Sequence, residues 1–239
     1  MTTLVFVHGL GTGSQAWAPQ VTHFGERYQV VTPDLPGFGD TEGEFSFASA
    51  ENHLATVVDE LGSDDVVLVG LSLGALVALH YALRFPDRVK GLVLVAGFAS
   101  LPEELRNQQA AMIGELEGLP LEAAGVVVEQ LTANVPEEFR SDARAALRRF
   151  TPSSLATLFR EVSNYDTTSA CAGFTRPTLV AYGSQDSLNE PLCRDLAQRL
   201  PGAVTQVIAD AGHVANLDAP AAFDAMLDGF LAILSLRTE

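Results

Sequence analysis

Basic residues are scarce in this chain of 239 residues, which has 14 Lys and Arg against 30 Asp and Glu and a formal net charge of −16. A surplus of negative charge repels phosphate backbones and anionic membrane surfaces. The composition therefore argues against nucleic-acid binding and against membrane association. It favours a neutral or cationic small molecule as the partner.

Cysteine is equally scarce, because only Cys171 and Cys193 occur and neither belongs to a CxxC motif or a Cys/His cluster. This pattern excludes a disulfide framework and a zinc site of the usual spacing, so we expect reduced thiols, no metal and no cofactor. The first residues, MTTLVFVHG, also lack the basic segment, the sustained apolar run and the small-residue cleavage site of a secretory signal. We therefore predict a cytoplasmic protein.

Charge is absent from positions 66 to 83, VVLVGLSLGALVALHYAL, which is nominally long enough for a membrane helix. Gly70, Ser72, Gly74 and His80 interrupt that segment and argue against a membrane span. A β-branched run that becomes rich in Ala and Leu at a glycine-flanked serine instead indicates a buried strand followed by a buried helix.

Short apolar runs rich in β-branched residues recur along the chain, and they are continuous rather than alternating. Such runs are typical of strands buried on both faces of a parallel sheet. The runs begin at Leu4, Val30, Val66, Leu92, Thr178 and Val204. Helical segments lie between most of them, at 47–61, 73–85, 190–200 and 218–236. The alternation predicts an α/β fold with a mostly parallel, doubly wound sheet of about six strands.

One long stretch, residues 99–172, breaks this alternation because it contains no strand-like run and is too long for a simple crossover. It divides into helical pieces that are separated by Pro120, Pro136 and Pro152. We predict a helical cap over residues 99–172, inserted into an α/β core made of residues 1–98 and 173–239.

The pentapeptide Gly70-Leu71-Ser72-Leu73-Gly74 is a GxSxG motif at the predicted junction of strand and helix. A sharp turn at this point strains the backbone of the serine and exposes its hydroxyl above the sheet. A helix-capping serine between two packing glycines would give the same five letters. The strand before it and the helix after it favour Ser72 as a catalytic nucleophile.

A serine nucleophile needs an imidazole base, and the imidazole needs a carboxylate that fixes its tautomer. His213 follows the last predicted strand in a short loop that contains glycine, and Asp186 follows the preceding strand. The carboxyl ends of parallel strands meet at one edge of a sheet. We therefore predict His213 as the general base and Asp186 as the acid that orients it.

The other histidines and nearby acids suit different roles. His80 lies on the same predicted helix as Ser72, eight residues further on, or about 12 Å along the axis, which is out of reach. Asp210 is too close in sequence to His213 to orient it, and we expect Asp218 to cap the last helix. Packing, solvated or loop-shaping roles are expected for His8, His23 and His53.

An oxyanion hole requires two backbone N–H groups that point at the developing alkoxide. One is predicted at Leu73, which follows Ser72 at the start of a helix. The second is predicted at Leu10, in the glycine-rich loop HGLGTGS after the first strand. Only the main chain takes part, so a leucine is acceptable at either position.

Six segments follow one another as landmarks along the chain: HGLGTGSQAW, DLPGFGDT, VGLSLGALVAL, RFPDRVKGLVLV, YGSQD and AGHVANLDAP. They resemble the α/β-hydrolase superfamily, in particular its small capped esterases and lactonases, over the whole chain except the predicted cap. The resemblance implies the triad and the oxyanion donors named above, in the chain order Ser, Asp, His, and a structural role for Asp34. The chain begins at the position of the family's third strand, so a sheet without the leading hairpin is expected.

The predicted reaction is hydrolysis of a small, neutral or apolar carboxylic ester or lactone through an acyl-enzyme on Ser72. The cap is expected to supply the substrate pocket, with Phe98, Met112 and Phe159 as candidate lining residues, although core packing would also account for them. C–C bond hydrolysis, perhydrolysis, cyclisation and non-enzymatic ligand sensing use the same fold and stay open. The oligomeric state also stays open.

A nucleotide-binding oxidoreductase is the remaining alternative, because Gly9, Gly11 and Asp34 imitate a dinucleotide fingerprint after the first strand. The third glycine position of that fingerprint is occupied by Ser14, and Pro33 precedes the acid. This alternative also leaves the predicted triad unexplained.

Overall fold

A computed structural model describes residues 2–62 and 65–236 of the chain. Within these residues one sheet of six parallel strands runs in the order β2-β1-β3-β4-β5-β6. The strands are β1 (Thr3–Val7), β2 (Gln29–Val31), β3 (Val66–Leu71), β4 (Gly91–Val95), β5 (Thr178–Gly183) and β6 (Val204–Ile208). The predicted α/β fold with a doubly wound sheet is confirmed.

Helices cover both faces of the sheet. The first part of the chain forms α1 (Ala18–Phe24), α2 (Phe47–Leu61) and α3 (Leu73–Arg84). After β5 the chain forms α9 (Glu190–Arg199), α10 (Ala215–Asp218) and α11 (Pro220–Leu236). Helices α1, α10 and α11 share one hydrophobic core, and α2, α3 and α9 share the other.

Strand β1 shows how the pleat divides these two cores. Leu4 and Phe6 pack into the core of α1 and α11, whereas Val5 and Val7 pack into the core of α2 and α3. All four side chains are fully buried, as expected for a central strand that is covered on both faces. Because β1 pairs with β2 on one side and β3 on the other, the order of the strands reverses here. Ligand sites in open α/β sheets lie at such a reversal, beyond the carboxyl ends of the strands.

Both edge strands depart from the prediction that every strand is buried on both faces. In β2 no residue is fully buried, and β6 departs further. Its first four residues are exposed, with 53% of Val204 and 46% of Val207 accessible to solvent. The reason is its position, because β6 is an edge strand that pairs only with β5. The run VTQVI therefore predicted a strand correctly, but the prediction that this strand is buried was wrong.

Five α-helices connect β4 to β5, where the sequence predicts a helical cap. They are α4 (Glu103–Gly118), α5 (Ala124–Thr132), α6 (Glu137–Ala146), α7 (Pro152–Ser163) and α8 (Thr168–Cys171). The two ends of this insertion meet, because the Thr167 N–H donates to the Ala99 carbonyl oxygen at 2.9 Å and Ser100 forms an antiparallel bridge with Asp166. The division into a cap (99–172) and a core stays a prediction.

A buried tyrosine ties the segment between β4 and β5 to α3. The Tyr165 hydroxyl donates to the carbonyl oxygen of Leu76 in α3 at 3.0 Å. Burial raises the pKa of Tyr165 well above its ordinary value, so the hydroxyl stays protonated and remains a donor.

The uncharged segment 66–83 forms β3 and most of α3, as predicted. Among the described helices, none combines the length and the apolar character that crossing a membrane would require.

Two glycines allow α3 to lie close to the strands β1 and β3. A Cβ atom added to Gly74 would clash with the backbone carbonyl oxygen of Val7, and one added to Gly70 would clash with the carbonyl of Gly74. A backbone carbonyl in a central strand cannot move aside as a flexible side chain does. Glycine is therefore required at both positions.

We predict that Gly74→Ala lowers the free energy of unfolding by about 1–3 kcal/mol, because the added methyl group overpacks a rigid contact. The matched control is Gly229→Ala in α11, where an added Cβ meets no atom within 4 Å. That substitution is expected to raise the stability by about 0.5–1 kcal/mol through helix propensity. Urea denaturation measures both changes, and equal effects of the two substitutions would contradict the close-contact explanation.

Candidate active site

Ser72 occupies a strained turn between β3 and α3. Its φ of 53° and ψ of −117° lie in a region that residues with a side chain rarely adopt. The Ser72 N–H donates to the Val95 carbonyl oxygen of β4 at 2.8 Å, which fixes the turn to the neighbouring strand. The strain and this hydrogen bond together hold the hydroxyl above the carboxyl end of the sheet.

His213 and Asp186 complete a chain of hydrogen bonds with this serine. His213 Nε2 lies 3.0 Å from Ser72 Oγ, and His213 Nδ1 lies 2.9 Å from Asp186 Oδ2. The ionised carboxylate only accepts hydrogen bonds, so Nδ1 carries a proton and Nε2 of the neutral ring is free to accept the serine proton. The structure thus brings together the three residues that the sequence predicts.

Two loops at the ends of β5 and β6 position the acid and the imidazole. The Gln185 N–H donates to the Ala211 carbonyl oxygen at 2.8 Å, which joins the loop of Asp186 to the loop of His213. The Gly212 N–H donates to Asp218 Oδ2 at 2.9 Å. The prediction that Asp218 caps the last helix is wrong, because α11 begins two residues later and the carboxylate binds the His213 loop instead.

Asn189 is part of this arrangement and was missed by sequence reasoning. Its Nδ2 donates to Asp186 Oδ1 and Oδ2 at 2.9 and 3.0 Å. The same nitrogen lies 3.2 Å from His213 Nδ1, but both groups are donors in the tautomer above, so the carboxylate is the shared acceptor. Asn189 is the N-cap of α9, and its side chain makes no capping bond because it faces the acid. The sequence signal for Asn189 was its position directly before Glu-Pro, the pair with which a helix starts.

The charge of Asp186 is stabilised although the group is buried. Burial alone raises the pKa of this carboxyl, but hydrogen bonds from His213 and Asn189 outweigh it and bring the pKa below the ordinary 3.8. Only 6% of the Asp186 side chain is exposed, compared with 37% of the His213 side chain. A buried anion therefore faces one side of the imidazole, and the other side faces an accessible space.

The two predicted oxyanion donors lie beside the serine. Leu10 and Leu73 line the same cavity as Ser72. Leu73 is the first residue of α3, and the first N–H groups of a helix have no acceptor within it. No acceptor among the described residues binds the Leu10 N–H. The oxyanion-hole role of both amides stays a prediction.

This cavity has a volume of about 420 Å³ and opens above Ser72 and His213. Its wall is mainly apolar, and none of the described residues that form it carries a charged side chain. The three predicted pocket residues, Phe98, Met112 and Phe159, all contribute to the wall. Phe98 is also part of the buried core, and Met112 and Phe159 pack against that core.

His8, His80 and Asp34 take part in structural contacts. His8 accepts a hydrogen bond from the Leu35 N–H at 3.0 Å, and burial lowers the pKa of His8. His80 pairs with Glu51 at 3.1 Å. Asp34 accepts a hydrogen bond from the Ser14 N–H at 2.7 Å, so its carboxylate is bound by the chain itself. Within residues 2–62 and 65–236 no three His, Cys, Asp or Glu side chains are grouped to hold a metal ion.

The parallel sheet, the strained serine and the hydrogen-bonded His and Asp define one class of protein. The chain belongs to the α/β hydrolase fold family, which matches residues 2–220.

Two curated relatives that align with most of this chain are named as hydrolases. RutD of Klebsiella pneumoniae (strain 342), named as a carbamate hydrolase, is 28% identical over 250 residues, which cover 99% of this chain and 94% of RutD. The pimeloyl acyl-carrier-protein methyl ester esterase of Aliivibrio salmonicida (strain LFI1238) is 28% identical over 222 residues, covering 88% and 84%. Among solved structures, a hydrolase from Pseudomonas aeruginosa PA01 has a TM-score of 0.81 and 25% identity, covering 96% of this chain and 89% of that one.

The lowered pKa of Asp186 predicts a specific effect of acid on stability. A carboxyl whose pKa is lower in the folded state contributes stability above its ordinary pKa of 3.8, and this is lost as the pH falls through the lower folded pKa. Asp186→Asn lacks the titrating group. As the pH falls through that range, we expect the free energy of unfolding, measured with urea, to decrease more for the wild type than for this variant. Parallel curves of unfolding free energy against pH would contradict the prediction.

Proposed function

We propose that this protein is a serine hydrolase that cleaves a small, neutral or apolar carboxylic ester or lactone. The observation that carries the proposal is the hydrogen-bonded series Ser72, His213 and Asp186 at the mouth of an uncharged apolar cavity. An ester substrate is supported by one relative, which is named a methyl ester esterase. Ser72, His213 and Asp186 are proposed as nucleophile, general base and orienting acid.

The first half of the reaction forms the acyl-enzyme. His213 Nε2 accepts the Ser72 proton as Oγ attacks the ester carbonyl carbon. The resulting oxyanion is bound by the N–H groups of Leu10 and Leu73, each worth about 3 kcal/mol in comparable sites. The imidazolium that forms is stabilised by Asp186, which stays ionised. His213 then gives the proton to the leaving alcohol.

The second half releases the acid. Water enters beside His213, which removes a proton from it as the oxygen attacks the acyl carbon. The same two N–H groups bind the second oxyanion, and the Ser72 oxygen leaves as it takes back a proton. The accessible side of His213 is where this water arrives.

The helices inserted between β4 and β5 are proposed to be a cap that shapes the substrate pocket. Met112 on α4 and Phe159 on α7 reach the same cavity as Ser72, and Phe98 follows β4. Because this wall is uncharged, transferring an apolar chain into it needs no desolvation of an ion. A charged substrate would lose its hydration there without gaining a partner.

A fluorophosphonate probe tests the nucleophile. We expect the probe to label folded wild-type protein on Ser72 alone, as read by peptide mapping, because His213 activates only that hydroxyl. The matched control is Ser187→Ala, which removes an exposed serine in the Asp186 loop and is expected to leave labelling intact. Ser72→Ala is expected to abolish labelling and to lower ester kcat by about 10⁴-fold or more. Label on another residue would overturn the assignment.

The pH dependence of ester turnover tests the base. The lowered pKa of Asp186 keeps the orienting carboxylate ionised above pH 3.8, and the proposed base acts only as a neutral imidazole. Activity falls as the pH is lowered because the imidazolium cannot accept a proton. We expect log kcat/KM to fall with a slope of about one per pH unit, and a slope near two would show that a second essential group is protonated.

A further inference from the structure

The acid of the candidate triad has two carboxylate oxygens, and the imidazole binds one of them. His213 Nδ1 donates to Asp186 Oδ2 at 2.9 Å. The carboxylate lies in a buried place, with 6% of the Asp186 side chain exposed. A buried charged group that lacks hydrogen bonds is strongly unfavourable. The oxygen Oδ1 therefore needs a donor of its own.

Asn189 supplies this donor. Its Nδ2 lies 2.9 Å from Asp186 Oδ1 and 3.0 Å from Asp186 Oδ2, so one amide group spans both oxygens. Among the described residues, Asn189 and His213 are the two side chains that donate to this carboxylate. The main-chain N–H of Asn189 adds a longer contact to Oδ1, at 3.4 Å. A donor in front of both oxygens fixes the rotation of the carboxylate.

Helix capping does not account for the Asn189 side chain. An N-cap side chain usually accepts a hydrogen bond from the main chain two or three residues later. Asn189 is the N-cap of α9 and makes no such bond. Its main-chain carbonyl oxygen accepts from the Cys193 N–H at 2.8 Å, which any residue at this position would do. The amide therefore serves the carboxylate rather than the helix.

The state of the carboxylate decides which nitrogen of the imidazole is free. An ionised Asp186 accepts from Nδ1–H of His213, so Nε2 is left to accept the proton of Ser72. A protonated carboxyl would instead donate to Nδ1, and the ring proton would then lie on Nε2, where it blocks the reaction. Loss of a donor from a buried carboxylate favours the protonated form. The amide thus acts on the base through the acid.

We propose that Asn189 is a positioning residue of the candidate triad, which holds Asp186 in the ionised form and in the orientation that keep Nε2 of His213 free. This inference rests on the proposed function, because it assigns a role within the same site. Asn189 touches neither the serine nor the reacting atoms in this role.

Two further titratable groups act on this pair. Cys193 on α9 and Asp218 on α10 interact electrostatically with Asp186. Burial raises the pKa of Cys193 to about 12, so its thiol is neutral in acid. Burial also raises the pKa of Asp218, but this group is present in the wild type and in each variant of Asn189. A difference between these proteins therefore reports the amide.

The pH profile of Asn189→Leu tests the inference, because leucine has a similar size and no donor. In the variant, burial of Asp186 is no longer offset by this amide, so the carboxyl is protonated at a higher pH than in the wild type. We expect the acid limb of log kcat/KM to steepen from a slope of about one toward two. The kcat at neutral pH is expected to fall by about tenfold or more.

The matched control is Asn107→Leu, the same change at an exposed position on α4, which is expected to keep the wild-type slope. If leucine at position 189 prevents folding, Asn189→Ala carries the same test with a smaller side chain. A wild-type slope in the folded Asn189 variant would overturn the inference.

A double-mutant cycle tests whether Asn189 acts through Asp186. In the background of Asp186→Asn the carboxylate is absent, so Asn189→Leu is expected to change kcat by less than about twofold. In the wild-type background the same substitution is expected to lower kcat by about tenfold or more. Equal losses in both backgrounds would show an effect on the fold or on substrate binding, and would overturn the assignment.

Carboxyl ¹³C NMR separates this inference from the proposed function. If the wild type hydrolyses no ester and takes no fluorophosphonate label, the proposed function fails, but the titration of Asp186 is still measurable. Asp186→Asn assigns the resonance. We expect Asp186 to titrate at a higher pH in Asn189→Leu than in the wild type, and coincident titration curves would overturn the inference.

Discussion

The close approach of α3 to β1 is the constraint on which the site depends. Gly74 lies directly against the carbonyl oxygen of Val7, and a side chain in that place would push the helix away from the sheet. The position of α3 sets the turn that precedes it, so the positive φ of Ser72 and the direction of the Leu73 N–H follow from this contact. A packing requirement between two backbones thus determines where the hydroxyl points.

The other two members of the candidate triad follow strands that lie on one side of β3 in the sheet. Asp186 follows β5 and His213 follows β6, and the loops that carry them are joined by main-chain hydrogen bonds. The buried carboxylate has a lowered pKa because Asn189 and His213 both donate to it. The sheet aligns the three strand ends, and short polar contacts then fix the rotation of each side chain.

Much of this arrangement could be predicted from the sequence, because continuous apolar runs mark buried strands and the loops after them carry the chemistry. The predicted strand starts differ from the observed ones by at most one residue. The exposure of β6 could not be predicted, since an edge strand with apolar residues has the same letters as a central one. Asn189 was missed because its importance depends on what lies opposite it in space. Asp218 was misjudged for the same reason.

The two ends of the segment between β4 and β5 are joined to each other, which has a consequence for how the segment is attached to the sheet. Ala99 and Thr167 meet through one main-chain hydrogen bond, and Ser100 and Asp166 meet beside them. The chain therefore leaves the sheet after β4 and returns to the neighbouring strand β5 at one place, with α4 to α7 lying between these anchors. Helices between these anchors also pack into the core that α2, α3 and α9 share, through Leu155 and Leu158, so packing as well as the joined ends fixes the segment to the sheet.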